Sequence, residues 1–339
     1  MRKIALEEHF TTPELDGYTS AMRITNGVDA FADIRRRLTE FDELRIEAMD
    51  KAGIDLAVLS VTTPGVQALP DARVAVRRAR DANDFLAGIV AKRPRRYAGF
   101  AHLPLQDVRA AADELERCVV ELGFKGAMIN GHSHGEYLDD DKFDRFWERA
   151  QALDVPIYLH PADPFDMPYM YEGHPELLGA TWSWTVETAT HALRLVFGGT
   201  FQRFPKLQLI LGHMGETLPY LLWRLDSRSR MYARIGRRPE GPPPSEIIRR
   251  NIAVTTTGVC SPASLACAIA ALGEDHVMFS VDYPYESCET AAAFIESAPL
   301  AEATRAKVCH GNAERILHLQ PAATPRVRVH RTQIAGAAS

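Results

Sequence analysis

Eight short runs of largely apolar, β-forming residues recur along the chain, with helical patterns between most of them. They are Ile4–Glu7, Leu56–Thr62, Tyr97–Leu103, Gly126–Asn130, Pro156–His160, Leu207–Gly212, Ile252–Thr257 and Val277–Val281. The runs are continuously apolar rather than alternating, as expected of parallel strands buried on both faces. Eight such strands separated by helices match an α/β fold of the (β/α)8 TIM-barrel type, with an open doubly wound sheet as the alternative. The absence of GxGxxG and GxxxxGK[ST] loops weakens the open sheet. With 339 residues, the chain has room for one such barrel, which needs roughly 250, plus long loops.

The connecting segments carry helix signals. FDELRIEAMDKAG ends at Gly53, and DVRAAADELERCVVELG runs from an N-cap at Asp107 to a C-cap at Gly123. KFDRFWERAQAL, Val186–Phe204 and AEATRAKVCHGNAERIL read as further helices. Residues 11–40 and 162–183, rich in aromatics and prolines, break the repeat as insertions after strands 1 and 5. Insertions at those points belong to the catalytic rim of a barrel. The expected organisation is one catalytic domain over residues 1–318 and a flexible tail over 319–339.

Composition removes several function classes. Apolar residues make up 46% and charged residues 24%, which excludes disorder for the bulk of the chain. A net charge of −5 gives no electrostatic reason to expect nucleic acid or anionic membrane as partner. No apolar run approaches the roughly 20 residues that span a bilayer, and the start MRKIALEEHF is too short and too acidic for a signal peptide. Cys118, Cys260, Cys267, Cys288 and Cys309 show no CxxC spacing, which fits a reducing cytoplasm.

Metal-binding residue types collect at the C-terminal ends of the expected strands. Strand 1 ends in Leu6-Glu7-Glu8-His9, strand 5 in Tyr158-Leu159-His160-Pro161, strand 6 in Gly212-His213-Met214-Gly215-Glu216 and strand 8 in Val281-Asp282-Tyr283-Pro284. A parallel barrel brings these ends to one mouth. Glu7 and His9 share a side of an extended segment, so with His160 and Asp282 they offer two carboxylates and two imidazoles to one divalent cation such as Zn²⁺ or Mn²⁺. Each residue alone reads more plainly as structural or solvated; the constellation carries the signal. By the same reasoning His102, His132 and His134 fall near strand ends, while His191, Trp182 and Trp184 read as packing.

The motifs LEEHF, YLHP, LGHMGE and FSVDYP, in that order, resemble the amidohydrolase superfamily. More narrowly, with RRARDANDFLA, GFKGAMIN, HPELLG, ETATHALRL and LPYLLWRLD, the chain resembles the non-oxidative decarboxylases of ortho-hydroxybenzoates: γ-resorcylate, 2,3-dihydroxybenzoate and 5-carboxyvanillate. The resemblance implies one divalent metal ion held by Glu7, His9, His160 and Asp282, and no organic cofactor. It also implies His213 as a catalytic histidine paired with Asp282 and oriented by Glu216, Arg224 on a substrate anion, and Tyr285 in a DYPY run at the substrate. Asn130 stands where binuclear members keep a bridging lysine, which argues against a second metal and leaves Asn130 to face the substrate. Strand 1 reads Glu-x-His where the hydrolases keep His-x-His.

The implied chemistry is conversion of an ortho-hydroxybenzoate to a phenol and CO₂. Direct loss of CO₂ would leave an undelocalised sp² carbanion, so the ring carbon is protonated first, with Asp282 as the acid. A carboxylate on a cation is a poor acid, so Asp282 would have to take up a proton as substrate binds, from the phenol or through His213. A mononuclear lactone or amide hydrolase of the same superfamily is the alternative, and a catalytically silent barrel is a third reading. The expected partners are a small aromatic acid and further copies of the chain, as a homodimer or homotetramer.

Overall fold

The computed structural model describes residues 1–15, 24–25, 28–29 and 31–319. Eight parallel strands form where the apolar runs lie: β1 Ile4–Phe10, β2 Leu56–Val61, β3 in two pieces (Tyr97–Gly99 and Ala101–His102), β4 Ala127–Asn130, β5 Ile157–His160, β6 Leu209–Leu211, β7 Ile252–Thr255 and β8 Val277–Met278. Each pairs in parallel with its successor. The ring closes between β1 and the continuation of β8. There His9 N donates to Tyr283 O at 2.7 Å and Asp282 N to Glu7 O at 3.1 Å.

Helices follow the strands on the outside: α1 Ala32–Leu38 and α2 Leu44–Ala52, then α3 Ala72–Lys92, α4 Val108–Val120, α5 Asp144–Ala152, α6 Ser183–Phe197, α7 Leu218–Arg234, α8 Pro244–Asn251, α9 Pro262–Leu272 and α10 Cys288–Ser297. The Asp107 carboxylate accepts the Ala110 amide at 3.0 Å and so caps α4. The expected helix Val186–Phe204 starts earlier, at Ser183, and breaks at Gly198-Gly199, where Gly199 takes a left-handed φ of 83° before a short turn over Thr200–Arg203. The expected helix over 301–317 contains a widened π-helical turn, Lys307–Gly311. The Val308 carbonyl in that turn accepts the Phe279 amide at 2.8 Å, so a helix takes over the hydrogen bonding of β8 where its strand pairing stops.

Two apolar layers follow from the period-two alternation of side chains. Ala127, Ile129, Ile157 and Leu159 point outward and pack under the helices with Leu115 and Trp147. Met128, Tyr158, Ile210, Ala253 and Met278 point inward with Ile4, Leu6, Val58 and Phe100, and Ile316 and Leu317 pack against the same cluster. Each of these large side chains is buried, contributing roughly 1.5–3 kcal/mol by removal from water.

Both expected insertions reach the mouth. The first contributes an antiparallel pair, Ile24–Thr25 with Val28–Asp29, and α1. The second, 162–183, folds as short turns over Tyr169–Tyr171, Pro175–Leu177 and Gly179–Thr181. The tail expected over 319–339 falls, from residue 320 onward, outside the described residues.

Candidate metal centre and active site

A defect in β1 builds the centre. Ile4 and Leu6 face the barrel interior, so strict alternation would send Glu7 and His9 outward. Instead the register with β2 shifts between Ala5 and Glu8. This bulge turns Glu7 and His9 inward at the top of the strand and Glu8 outward. Ser280 holds the bulge, its Oγ accepting the amides of Leu6 (3.0 Å) and Glu7 (2.7 Å). Glu8, buried on the outer side, accepts the Val281 amide at 3.1 Å, and burial pushes its carboxyl up to about 8.

His160 reaches the same point by regular alternation along β5, and Asp282, at a φ of 88°, reaches it from the chain after β8. One ligand atom each of Glu7, His9, His160 and Asp282 lies within 4.8 Å of the others. Glu7 Oε1 is 3.3 Å from His160 Nε2, and His9 Nε2 is 3.1 Å from Asp282 Oδ1. Glu7 Oε1, His9 Nε2 and Asp282 Oδ1 are all buried without a hydrogen-bond partner among the described residues. Buried polar atoms are rarely left so. Burial pushes the Glu7 carboxyl above the usual range and the His160 imidazole below it, both toward the neutral form. A divalent cation among these atoms relieves both conditions, so the donor set fits one.

The surrounding groups orient the ligands. The Pro161 carbonyl, 2.8 Å from His160 Nδ1, accepts only, so the ring proton stays on Nδ1 and Nε2 keeps its lone pair. The Tyr158 hydroxyl donates to Glu7 Oε2, leaving Oε1 for the centre. Gly212 is needed here, because a Cβ on it would lie 2.7 Å from Glu7 Oε2. Tyr158 stands two residues before His160 on the inward face, and that spacing was the available sequence signal for it.

His213 sits in an unusual backbone. Residues 213–217 all take positive φ, from 49° at His213 to 79° at Gly215, a left-handed turn that is costly outside glycine. The turn brings Glu216 Oε1 to 2.7 Å from His213 Nδ1, while His213 Nε2 lies 3.9 Å from Asp282 Oδ2. Burial opposes charge on His213, but Glu216, Glu7 and Asp282 together hold its imidazolium well above the ordinary range. Burial likewise opposes the Asp282 carboxylate, and its neighbours His213 and His9 hold it below the ordinary range.

The remaining expected residues divide. Tyr285 stands at the centre, its ring 5.8 Å from that of His9 and its hydroxyl 2.6 Å from Thr62 Oγ1. Asn130 ends β4 beside His160; its amide nitrogen donates to the carbonyls of Val61 and Thr62 at 3.3 Å, and its Oδ1 is buried and unpaired. Arg224 is exposed on α7, and within one chain it lines none of the cavities at the mouth. His102 accepts the Val66 amide at 2.8 Å, and His191 accepts the Leu138 amide at 3.0 Å; both are structural. His132 and His134 line a side cavity near Asn130.

Comparison with known proteins agrees with this geometry. The amidohydrolase family profile matches residues 9–319. γ-Resorcylate decarboxylase of Polaromonas sp. (strain JS666) is 44% identical over 327 residues, covering 94% of this chain and 98% of that protein. The structure of 2,6-dihydroxybenzoate decarboxylase complexed with 2,6-dihydroxybenzoate superposes with a TM-score of 0.88 at 42% identity, over 94% of this chain and 100% of the other. 5-Carboxyvanillate decarboxylase of Novosphingobium aromaticivorans, complexed with manganese and 4-hydroxy-3-methoxy-5-nitrobenzoic acid, gives a TM-score of 0.89 at 35% identity, over 94% and 96% of the two chains. The chain therefore belongs to the amidohydrolase family.

Proposed function

We propose that this chain is a metal-dependent carboxy-lyase that converts an ortho-hydroxybenzoate to a phenol and CO₂ without oxidation. The observation that carries this reading is the set of buried, unpartnered ligand atoms of Glu7, His9 and Asp282 facing His160. They stand in a barrel whose relatives decarboxylate dihydroxybenzoates and 5-carboxyvanillate. The hydrolase alternative has no comparable support, since these relatives are carboxy-lyases. Glu7, His9, His160 and Asp282 would hold one Mn²⁺ or Zn²⁺, which when bound supplies a chelating charge for the phenolate and carboxylate oxygens of the substrate.

The chain's own residues move the proton. His213 holds a proton 3.9 Å from Asp282 Oδ2, and Asp282 takes it up as the substrate's negative charge arrives nearby. By this route a carboxylate with a depressed pKa would act as an acid. Asp282 then delivers the proton to the ring carbon that bears the carboxylate. The bond from that carbon to the carboxylate breaks, its electron pair restores the aromatic ring, and CO₂ leaves. One proton is consumed and nothing is oxidised. Glu216 keeps His213 oriented, Tyr285 borders the ring, and Asn130 lines the side cavity next to it. Arg224 is assigned to a substrate anion only by resemblance, and an unchanged KM in Arg224→Ala removes that assignment.

The test is ultraviolet loss of substrate over a panel of ortho-hydroxybenzoates and their para isomers, with metal-loaded and chelated enzyme. Metal-dependent phenol formation from the ortho acids alone is expected; silence across the panel with metal bound overturns the reading. Asp282→Asn is expected to lower turnover by about 10³-fold with the fold intact, and near-normal turnover removes Asp282 as the acid. Assembly as a homodimer or homotetramer is also proposed, supported by Tyr220 and Trp223 standing 82% and 76% exposed on α7. A cytoplasmic location fits the five free cysteines.

A further inference from the structure

Trp184 borders three cavities at the mouth. One of about 260 Å³ contains the centre, lined by His160, Asp282 and Tyr285. A second of about 810 Å³ lies toward β6 and β7, with Met214, Pro219, Val259 and Ala263 among its walls. The third, about 350 Å³, surrounds Asn130 and His132. Ala180, Trp184, Asp282 and Glu286 line both the first and the second. Asp282 and Glu286 both come from the chain after β8, so the partition supplied by the insertion after β5 and the start of α6 is Trp184 with Ala180.

The indole is fixed rather than loose. Its Nε1 donates to Asp163 Oδ1 at 2.7 Å, which ties α6 to the start of the insertion after β5, and its ring lies 6.3 Å from that of His160. The metal-side chamber falls just below the usual size of a ligand site, roughly 300 Å³, and suits one substituted ring. Its neighbour approaches the upper end, roughly 1,000 Å³, and beyond His213, Glu216 and Asp282 its walls are mainly apolar, with Met214, Pro219, Val259 and Ala263 among them.

We propose that Trp184, with Ala180, is the specificity-determining partition that confines the substrate to a single ring. The larger cavity beyond it would hold an apolar ring substituent once the partition is thinned. This rests on the decarboxylase reading above. An aromatic wall between the chamber at the metal ligands and the larger one on the His213 side excludes by shape, and removing that wall extends the first chamber toward the second.

The experiment compares kcat/KM for 2-hydroxybenzoates unsubstituted or bearing a small hydroxyl with the 3-, 4-, 5- and 6-butyl derivatives. Wild type is expected to favour the small acids by at least 100-fold at every position. Trp184→Ala is expected to bring that ratio below 10-fold for at least one position, with turnover of the small acids retained. Trp184→Phe, which keeps an aromatic wall and serves if the alanine variant does not fold, shifts the ratio in the same direction by less. Adding Ala180→Leu to Trp184→Ala restores the exclusion. A wild type that accepts the butyl acids as readily as the small ones, or a ratio unchanged in both Trp184 variants, overturns the partition. A wild type that decarboxylates none of the small acids overturns the decarboxylase reading, and the proposal with it.

Discussion

His102 at the end of β3 and His160 at the end of β5 start from the same place and finish with opposite roles. Both close a barrel strand, both are buried, and burial drives both toward the neutral form. At β3, the loop that follows the neighbouring strand β2 reaches across so that the Val66 amide donates to His102 Nε2 at 2.8 Å. Gly65, at a φ of 55°, permits this approach, since a Cβ there would lie 2.4 Å from that nitrogen. The ring is satisfied and closed off. At β5, the ring's hydrogen-bond partner among the described residues is the Pro161 carbonyl on Nδ1, and Nε2 looks across 3.3 Å to a carboxylate oxygen that has no donor among them. A buried histidine is thus structural or chemical according to what its second nitrogen meets.

The largest expected effect lies on the β5 side. His160→Ala removes one ligand of a four-ligand set, so bound metal is expected to fall well below one ion per chain and turnover by at least about 10³-fold. Elemental analysis after dialysis reads the first and the ultraviolet assay the second. A variant that keeps full metal and activity would remove His160 from the centre and leave the two histidines equivalent.

His102→Ala should do the reverse. It deletes the acceptor of a buried amide and opens space in a closed region, at a cost of about 2–4 kcal/mol in unfolding free energy. Metal stoichiometry should stay at the wild-type value. Urea unfolding and metal analysis on the same sample check the pair. Loss of metal from a folded His102→Ala protein would show that β3 belongs to the centre after all.

The strand runs were legible because a strand buried on both faces has to be apolar throughout, and all eight runs became strands. The inward facing of Glu7 and His9 was legible only as a pair sharing one side. Which side depends on the bulge between Ala5 and Glu8, held by Ser280 from the chain after β8, some 270 residues away in sequence, and no local pattern announces it. The left-handed turn at 213–217 was hidden in the same way, because Met214, Glu216 and Thr217 carry no propensity for positive φ. The regular pairing of β8 stops at Met278, although the apolar run continues, because the carbonyl of Val308 and the hydroxyl of Thr256 take the next amides. Arg224 was assigned to a substrate anion only through family likeness, and it stands exposed on a helix whose other face, at Leu218 and Leu222, is buried.

The smallest effect separates structural histidines from the rest of the acid response. Burial lowers the pKa of His102 and of His191 from 6.5 to about 3. Above 6.5 neither the folded nor the unfolded state protonates these rings, and they add no pH dependence. Between 6.5 and about 3 the unfolded chain binds their protons and the folded chain does not, so stability falls as the solution is acidified. Each ring contributes a slope of up to about 1.4 kcal/mol per pH unit through that window. Carboxylates add their own losses lower in the same range, so the informative quantity is the difference between wild type and His102→Gln, in which an amide oxygen replaces the acceptor without titrating. Urea unfolding at pH 6.5, 5.5 and 4.5 is expected to show a shallower decline for the variant, by about one ring's slope. An identical decline would mean that His102 takes up its proton in the folded state, which a nitrogen closed against the Val66 amide does not allow.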